Sequence, residues 1–183
     1  MSAFDEFLQR NRSFAGTPGR QRPPLMARSR LFVVTCVDSR VEPAGFLGIG
    51  LGEAFVLRNP GGRLTDTVIA DIALISFIGE VMGIGEGLPL EVAIIHHTEC
   101  GMGFLADDGF RHEFSARTGI DEGYLVTQAV TDPEATVRAD VERLLSSPLT
   151  TARIIVSGHV FNLETGIVST VVPATAPHVA VAR

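Results

Sequence analysis

The stretch LFVVTCVDSR, residues 31–40, decides the fold of this 183-residue chain. Its first seven residues form an apolar, largely β-branched run that ends in polar residues, which is typical of a buried parallel strand. Similar but shorter runs predict strands at 54–57, 92–95, 154–156 and 168–172, and apolar spacing predicts helices at 4–14, 65–82 and 133–145. Because strands and helices alternate, we predict an α/β fold with a mainly parallel central sheet of four to five strands flanked by helices.

Composition excludes several classes of protein. Hydrophobic residues make up 45% of the chain and charged residues 20%, as expected for a globular protein rather than a disordered one. The net charge of −6 argues against a nucleic-acid partner, which would require clustered Lys and Arg. The longest apolar run, 69–84, is interrupted by Asp71 and Glu80 and is too short to cross a membrane. The first 14 residues lack the apolar core of a secretory signal, so we expect a cytoplasmic protein.

The N-terminal segment has no obvious place in a single sheet domain. A helix over 4–14 would present one apolar face, and a loop rich in Pro and Gly follows it at 16–24. An exposed apolar face usually marks an interface, so we expect residues 1–28 to form an arm that packs on a partner subunit. Residues 29–183 are then a single α/β domain. The residues of the apolar face are Phe4, Phe7, Leu8 and Phe14.

The only two cysteines, Cys36 and Cys100, are too few for a disulfide-stapled fold, so they are either inert buried thiols or part of a site. Cys36 ends the first predicted strand, and His97 and Cys100, three residues apart, follow the third. In a parallel sheet, ligands bind at the carboxyl ends of strands where strand order reverses, so neighbouring strands would bring these three side chains together. Thiolate and imidazole donors suit Zn²⁺, and three protein ligands leave a fourth position open for catalysis.

Two charged residues, Asp38 and Arg40, follow Cys36 closely. Asp38 could accept a hydrogen bond from a zinc-bound hydroxide and orient it, with Arg40 as its ion-pair partner. Asp38 could instead bind the metal itself and block it. The simplest alternative is that both are ordinary loop charges after a strand.

The motifs CVDSR at 36–40 and HTECG at 97–101 resemble the two signature motifs of the β-class carbonic anhydrases. The stretch GEAFVLRNPGG at 52–62 resembles the second strand and following turn of that family. SGHVF at 157–161 and LETG at 163–166 resemble its late strand and turn. These matches occur in the family's order over roughly residues 31–170.

This resemblance implies a zinc enzyme with the family's α/β sheet and a homodimer as its building block. It implies one Zn²⁺ per chain, bound by Cys36, His97 and Cys100, and a catalytic dyad of Asp38 and Arg40. The implied reaction is hydration of carbon dioxide to bicarbonate, by attack of a zinc-bound hydroxide on the small linear substrate.

One departure from the family pattern concerns the substrate. Many members have Gly before the zinc-binding His, whereas this chain has His96, as in a short, divergent branch that includes hydrolases of carbonyl sulfide and carbon disulfide. Three functions therefore remain open: hydration of carbon dioxide, hydrolysis of carbonyl sulfide or carbon disulfide at the same zinc site, and a non-catalytic module that binds or senses zinc.

Other residues near the motifs receive simpler interpretations. We expect His96 to pack beside the site rather than to bind metal, because His97 has the motif spacing. His159 is expected just after a strand, where it could line a cleft. Arg58 and Arg63 flank a Gly-rich turn, and we expect them to form surface or interface salt bridges. Gly61 and Gly62 are expected to serve backbone geometry rather than phosphate binding.

Overall fold

A five-stranded sheet is the centre of the computed structural model, which describes residues 2–17, 22–84 and 88–177. Its strands are β1 Leu31–Cys36, β2 Ala54–Asn59, β3 Leu90–His97, β4 Ile154–Phe161 and β5 Val168–Thr175. They lie in the order β2-β1-β3-β4-β5, the first four parallel and β5 antiparallel to β4. The predicted α/β fold class is confirmed. Residues 18–21, in the loop predicted at 16–24, lie outside the described residues.

The order of the strands reverses at β1. Strand β2 pairs with one side of β1, and β3 pairs with the other. In open α/β sheets such a reversal opens a crevice at the carboxyl end of the strand where it occurs. Cys36 is the last residue of β1, and β3 ends at His97. The sheet topology therefore places the first residues of both predicted motifs, Cys36 and His97, at the carboxyl end of neighbouring strands.

Six helices are present: α1 Ala3–Ala15, α2 Pro43–Phe46, α3 Asp66–Val81, α4 Asp108–Thr118, α5 Glu122–Gln128 and α6 Pro133–Leu145 within the described ranges. The side chain of Thr65 caps α3, and the carboxylate of Asp132 accepts two backbone N–H groups at the start of α6. Both helices were predicted from their apolar spacing. Helices α4 and α5 were not, because α4 buries no residue and so lacks an apolar stripe, while α5 is one short segment around Leu125.

The main core lies between one face of the sheet and helices α3 and α6. It consists of alternate residues of β1, β3 and β4 packed against Leu64, Val68, Ile69 and Ile72 from α3 and its entry, and Val137, Val141 and Leu144 from α6. A smaller cluster of Val33, Val41, Ile95 and Phe161 covers part of the other face. There the ring of Phe46 from α2 stacks on Phe161 at 4.3 Å between centroids. Both faces of the sheet that ends in Cys36 and His97 are therefore covered by packed apolar side chains.

Strands β3 and β4 are longer than the sequence predicted. Strand β3 includes both histidines, His96 and His97, and β4 extends to Phe161. His159 therefore lies inside β4, opposite Ile95 of β3, and not after the strand as predicted. The apolar runs were cut short in the prediction because the polar residues at these strand ends are paired in the sheet and half or fully buried.

Residues 4–15 of helix α1 are all exposed. Its apolar face, predicted from the sequence, includes Phe7 at 53% exposure, and the rings of Phe4 and Phe7 stack on each other. The expectation that this arm packs on a partner subunit remains a prediction. Among the described helices, none is long and apolar enough to cross a membrane.

Candidate metal centre

Cys36 is buried at the end of β1, with its sulfur facing a glycine turn. Its Sγ accepts backbone N–H groups from Asp38 at 3.4 Å and from Gly61 at 3.3 Å. Gly61 and Gly62 both have positive φ, and a Cβ on Gly62 would lie 2.9 Å from the carbonyl carbon of Thr35. Only glycine permits this backbone to approach β1 so closely. Backbone geometry is therefore the role of these glycines at the site, as the sequence predicted.

His97 is held in the tautomer that a metal ligand needs. Its Nδ1 lies 2.9 Å from the carbonyl oxygen of Thr98, and because a carbonyl can only accept, Nδ1 must carry the proton. The lone pair is then on Nε2, which is buried and has no hydrogen-bond partner among the described residues. An imidazole fixed in this way by its other nitrogen is the usual arrangement of a metal-binding histidine.

The structure brings Cys36, His97 and Cys100 together. Their Sγ, imidazole nitrogen and Sγ atoms all lie within 4.8 Å of one another, so the cluster could hold a metal ion. Cys100 reaches it from the turn that begins Gly101–Ala106. The donor set and the unsatisfied Nε2 of His97 both fit a zinc ion with thiolate and imidazole ligands.

The two sulfurs of the cluster are electrostatically coupled. The hydrogen bond with Cys100 is the main cause that lowers the pKa of Cys36 to about 4, against the opposing effect of burial, and His97 lowers it further. The same pairing, together with burial, raises the pKa of Cys100 far above its usual value. A thiolate is the form of cysteine that binds metal, so the site favours that form at Cys36.

Asp38 and Arg40 form a bidentate ion pair in the loop that follows Cys36. Arg40 donates from Nε to Oδ1 at 3.0 Å and from Nη2 to Oδ2 at 2.7 Å, and its backbone N–H also donates to Oδ1 at 2.9 Å. These contacts, the guanidinium first, hold the pKa of Asp38 well below its usual range. Asp38 is therefore an ionised carboxylate, oriented by Arg40, at any pH near neutrality.

Comparison with known proteins identifies the family. The family model described as carbonic anhydrase matches residues 31–120. β-Carbonic anhydrase 1 of Mycobacterium tuberculosis is 31% identical, with 94% of this chain and 100% of that protein covered. The chain belongs to the β-carbonic anhydrase family of enzymes.

Two further similar proteins carry different enzyme names. A carbon disulfide hydrolase of Acidithiobacillus thiooxidans is 32% identical to this chain. The alignment covers 75% of this chain and 74% of that enzyme. The crystal structure of carbonic anhydrase from Streptococcus mutans superposes with a TM-score of 0.77 at 35% identity, covering 93% of this chain and 98% of that one. The family resemblance inferred from the motifs is thereby confirmed, and its relatives include both kinds of enzyme.

Arg58 has a larger part in this β-carbonic anhydrase family site than the sequence indicated. It pairs with Glu42, as a surface salt bridge would, but it also donates from Nε to the carbonyl oxygen of Cys36 at 2.9 Å and from Nη2 to that of Asp38 at 2.8 Å. Arg58 thus binds both the end of β1 at Cys36 and the following loop at Asp38. This role could have been predicted only from the pairing of β2 with β1. That pairing places Arg58 opposite Thr35, the residue before Cys36.

The two remaining predicted histidines lie outside the donor cluster. His96 is fully buried on the opposite face of β3 from His97, and its Nε2 lies 3.3 Å from Oδ2 of Asp140. His159 lies between the hydroxyls of Ser157 at 2.9 Å and Thr170 at 3.2 Å. Burial lowers the pKa of His159, so its imidazole is neutral near pH 7.

Proposed function

We propose that this enzyme hydrates carbon dioxide to bicarbonate with one zinc ion bound by Cys36, His97 and Cys100. The observation that carries the proposal is the cluster of three donor residues whose ligand atoms lie within 4.8 Å of one another. Nε2 of His97 is buried and has no hydrogen-bond partner among the residues that the structure describes. Zinc with three protein ligands, when bound, supplies the Lewis acidity that makes water a nucleophile near neutral pH.

Asp38 is proposed to orient the attacking water by accepting its hydrogen bond. Both carboxylate oxygens of Asp38 face Arg40, but Oδ2 accepts only one hydrogen bond from it and keeps lone-pair capacity. The lowered pKa of Asp38 keeps it an acceptor. Asp38 is not part of the three-donor cluster found among the described residues, which supports an orienting role over that of a blocking fourth ligand.

We rank carbon dioxide above the sulfur substrates because the alignment covers a larger share of the carbonic anhydrase's length than of the carbon disulfide hydrolase's length. The β-carbonic anhydrase of Mycobacterium tuberculosis matches over its whole length. The carbon disulfide hydrolase of Acidithiobacillus thiooxidans matches over 74% of its length. Hydrolysis of carbonyl sulfide or carbon disulfide is the second candidate, favoured by the 32% identity to the Acidithiobacillus thiooxidans enzyme. Membership of a family of enzymes argues against the third, a non-catalytic zinc module.

The proposed assembly is a homodimer in which residues 1–28 form an arm on the partner subunit. The exposed apolar face of α1 supports it, since such a face is stabilised by burial against another surface. The single α/β domain, residues 29–183, would then contain the whole donor cluster. A cytoplasmic location stays a prediction from the sequence.

Two measurements on one preparation test the function. Metal analysis should give one zinc per chain, and stopped-flow assays should give a higher kcat/KM for carbon dioxide hydration than for sulfide release from carbonyl sulfide. Cys100→Ser should lose most of the zinc and the activity. Rapid sulfide release with negligible hydration would favour the second candidate. Full zinc retention in both Cys36→Ser and Cys100→Ser would overturn the ligand assignment.

A further inference from the structure

Arg63 and Asp140 form a buried ion pair that has no part in the proposed chemistry. Asp140 of α6 is 2% exposed and is bound by Arg63 through two hydrogen bonds, Nε to Oδ2 at 2.8 Å and Nη2 to Oδ1 at 3.0 Å. Removing two charges from water is costly, and replacing such a pair by apolar residues is often neutral for stability. Stability alone therefore does not account for this pair.

One set of contacts leads from Arg63 to Cys36. The side-chain amide of Asn59 donates to the carbonyl oxygen of Arg63, and the N–H of Arg63 donates back to Asn59, both at 2.8 Å. These bonds close the turn that contains Gly61. Since the N–H of Gly61 donates to Sγ of Cys36, the position of the turn determines how that sulfur is held.

Asp140 also contacts Leu64, which follows the Gly61 turn, and His96 in β3. Its Oδ2 accepts the N–H of Leu64 at 3.2 Å and lies 3.3 Å from Nε2 of His96, the residue before His97 in β3. Arg63 also donates from Nη1 to the carbonyl oxygens of Thr127 and Ala129, at 2.8 and 3.1 Å. One buried carboxylate thus touches both the turn that faces Cys36 and the strand that ends in His97.

We propose that Arg63 and Asp140 are positioning residues that form a brace for the metal centre. The brace holds the Gly61 turn against Cys36 and the end of β3 against α6, so that the two donors keep the separation that one metal ion requires. Neither side chain belongs to the three-donor cluster of Cys36, His97 and Cys100. The proposal rests on the proposed metal site and assigns to this pair a part in retaining the ion.

The test separates positioning from stability with two variants of the full chain. Asp140→Asn removes one charge, and Arg63→Met/Asp140→Leu removes both without leaving a buried unpaired charge. The matched control is Arg143→Ala, which removes an exposed ion pair from α6 to Asp66 but leaves the Gly61 turn untouched.

The first readout is the rate of zinc release to a chelator. We expect both brace variants to release zinc about 10-fold faster or more, the lower end of the effect of losing groups that orient metal ligands. The control should release zinc at the wild-type rate. Cobalt-substituted brace variants should also show an altered thiolate-to-cobalt absorption band. Unchanged release and an unchanged band in both brace variants would overturn the proposal.

The second readout does not need a bound metal. In metal-free protein carrying Cys100→Ser, Cys36 is the remaining thiol and is 4% exposed, so its alkylation rate reports how firmly the turn covers it. We expect alkylation to be several-fold faster when Asp140→Asn is added and unchanged when Arg143→Ala is added. Equal rates in all three proteins would refute the brace. Absence of zinc from the wild type would refute the metal site, and the alkylation rates would still test the brace.

Discussion

Arg40 and Asp38 are joined by two parallel hydrogen bonds, Nε to Oδ1 and Nη2 to Oδ2, at 3.0 and 2.7 Å. The same Nη2 donates to the carbonyl oxygen of Glu99 at 3.1 Å, and Glu99 lies between His97 and Cys100 in the sequence. Arg40 therefore connects the loop after β1 to the turn after β3. A planar guanidinium can serve both acceptors at once, which a lysine ammonium cannot do with the same geometry.

The first prediction concerns this connection. Arg40→Lys should retain full zinc but lower kcat/KM for carbon dioxide by about 10- to 100-fold, because Asp38 loses its fixed orientation while the three donor residues are unchanged. Arg117→Ala is a suitable control, since Arg117 is exposed and, among the described residues, its ion-pair partner is Glu113 within α4. Metal analysis and stopped-flow hydration measure the two effects. Wild-type turnover in Arg40→Lys would show that the bidentate pair is dispensable.

A second prediction uses the backbone of Glu99. Its φ of 57° lies in the left-handed region, which costs a non-glycine residue roughly 1–2 kcal/mol. Glu99→Gly and Glu99→Ala both remove the carboxylate, but only glycine relieves this cost. We expect Glu99→Gly to be about 1 kcal/mol more stable than Glu99→Ala. Urea unfolding of the two variants at equal metal loading gives the difference, and a more stable alanine variant would contradict the strain.

The third prediction concerns stability in acid. Burial alone would raise the pKa of Asp140, but the contacts with His96 and Arg63 outweigh it and leave the pKa below its usual value. A carboxyl with a lowered pKa in the folded state stabilises the fold above the unfolded-state pKa of about 4, and this contribution is lost as the pH falls below it.

Wild-type protein should therefore lose more unfolding free energy than Asp140→Asn between about pH 5 and pH 3, because asparagine cannot be protonated in that range. Metal-free samples keep metal release from contributing to the comparison. Denaturant titrations at several pH values provide the measurement. Parallel pH dependence in the two proteins would mean that Asp140 has the same pKa folded and unfolded.

A fourth prediction addresses the N-terminal arm. Phe7 is 53% exposed on the apolar face of α1, whereas Arg12 belongs to the same helix and is not part of that face. If the arm packs on a partner subunit, Phe7→Asp should shift the protein toward monomer, because a charge would be buried in an apolar contact. Arg12→Ala should leave the mass unchanged. Light scattering after size exclusion measures the mass, and an unchanged dimer in Phe7→Asp would argue against this interface.

Local sequence patterns account for the elements that were predicted correctly. Helix α6 begins at Pro133 and ends at Leu145 as expected, because the cap at Asp132 and the apolar spacing are both contained in that segment. Strand β1 was recognised because it is buried on both faces and therefore apolar throughout. Helix α4 escaped prediction because it buries none of its residues, which leaves no periodic pattern to detect.

The sequence by itself determined the fold class and the candidate donors Cys36, His97 and Cys100, since strand-end position and residue chemistry are local properties. Only the tertiary structure decided which groups hold those donors. The N–H of Gly61 on Cys36, the bonds of Arg58 to the loop after β1, and the pair of Arg63 with Asp140 join residues 25, 22 and 77 positions apart. Such contacts depend on strand order and on how α6 packs on the sheet, and no short stretch of sequence encodes either.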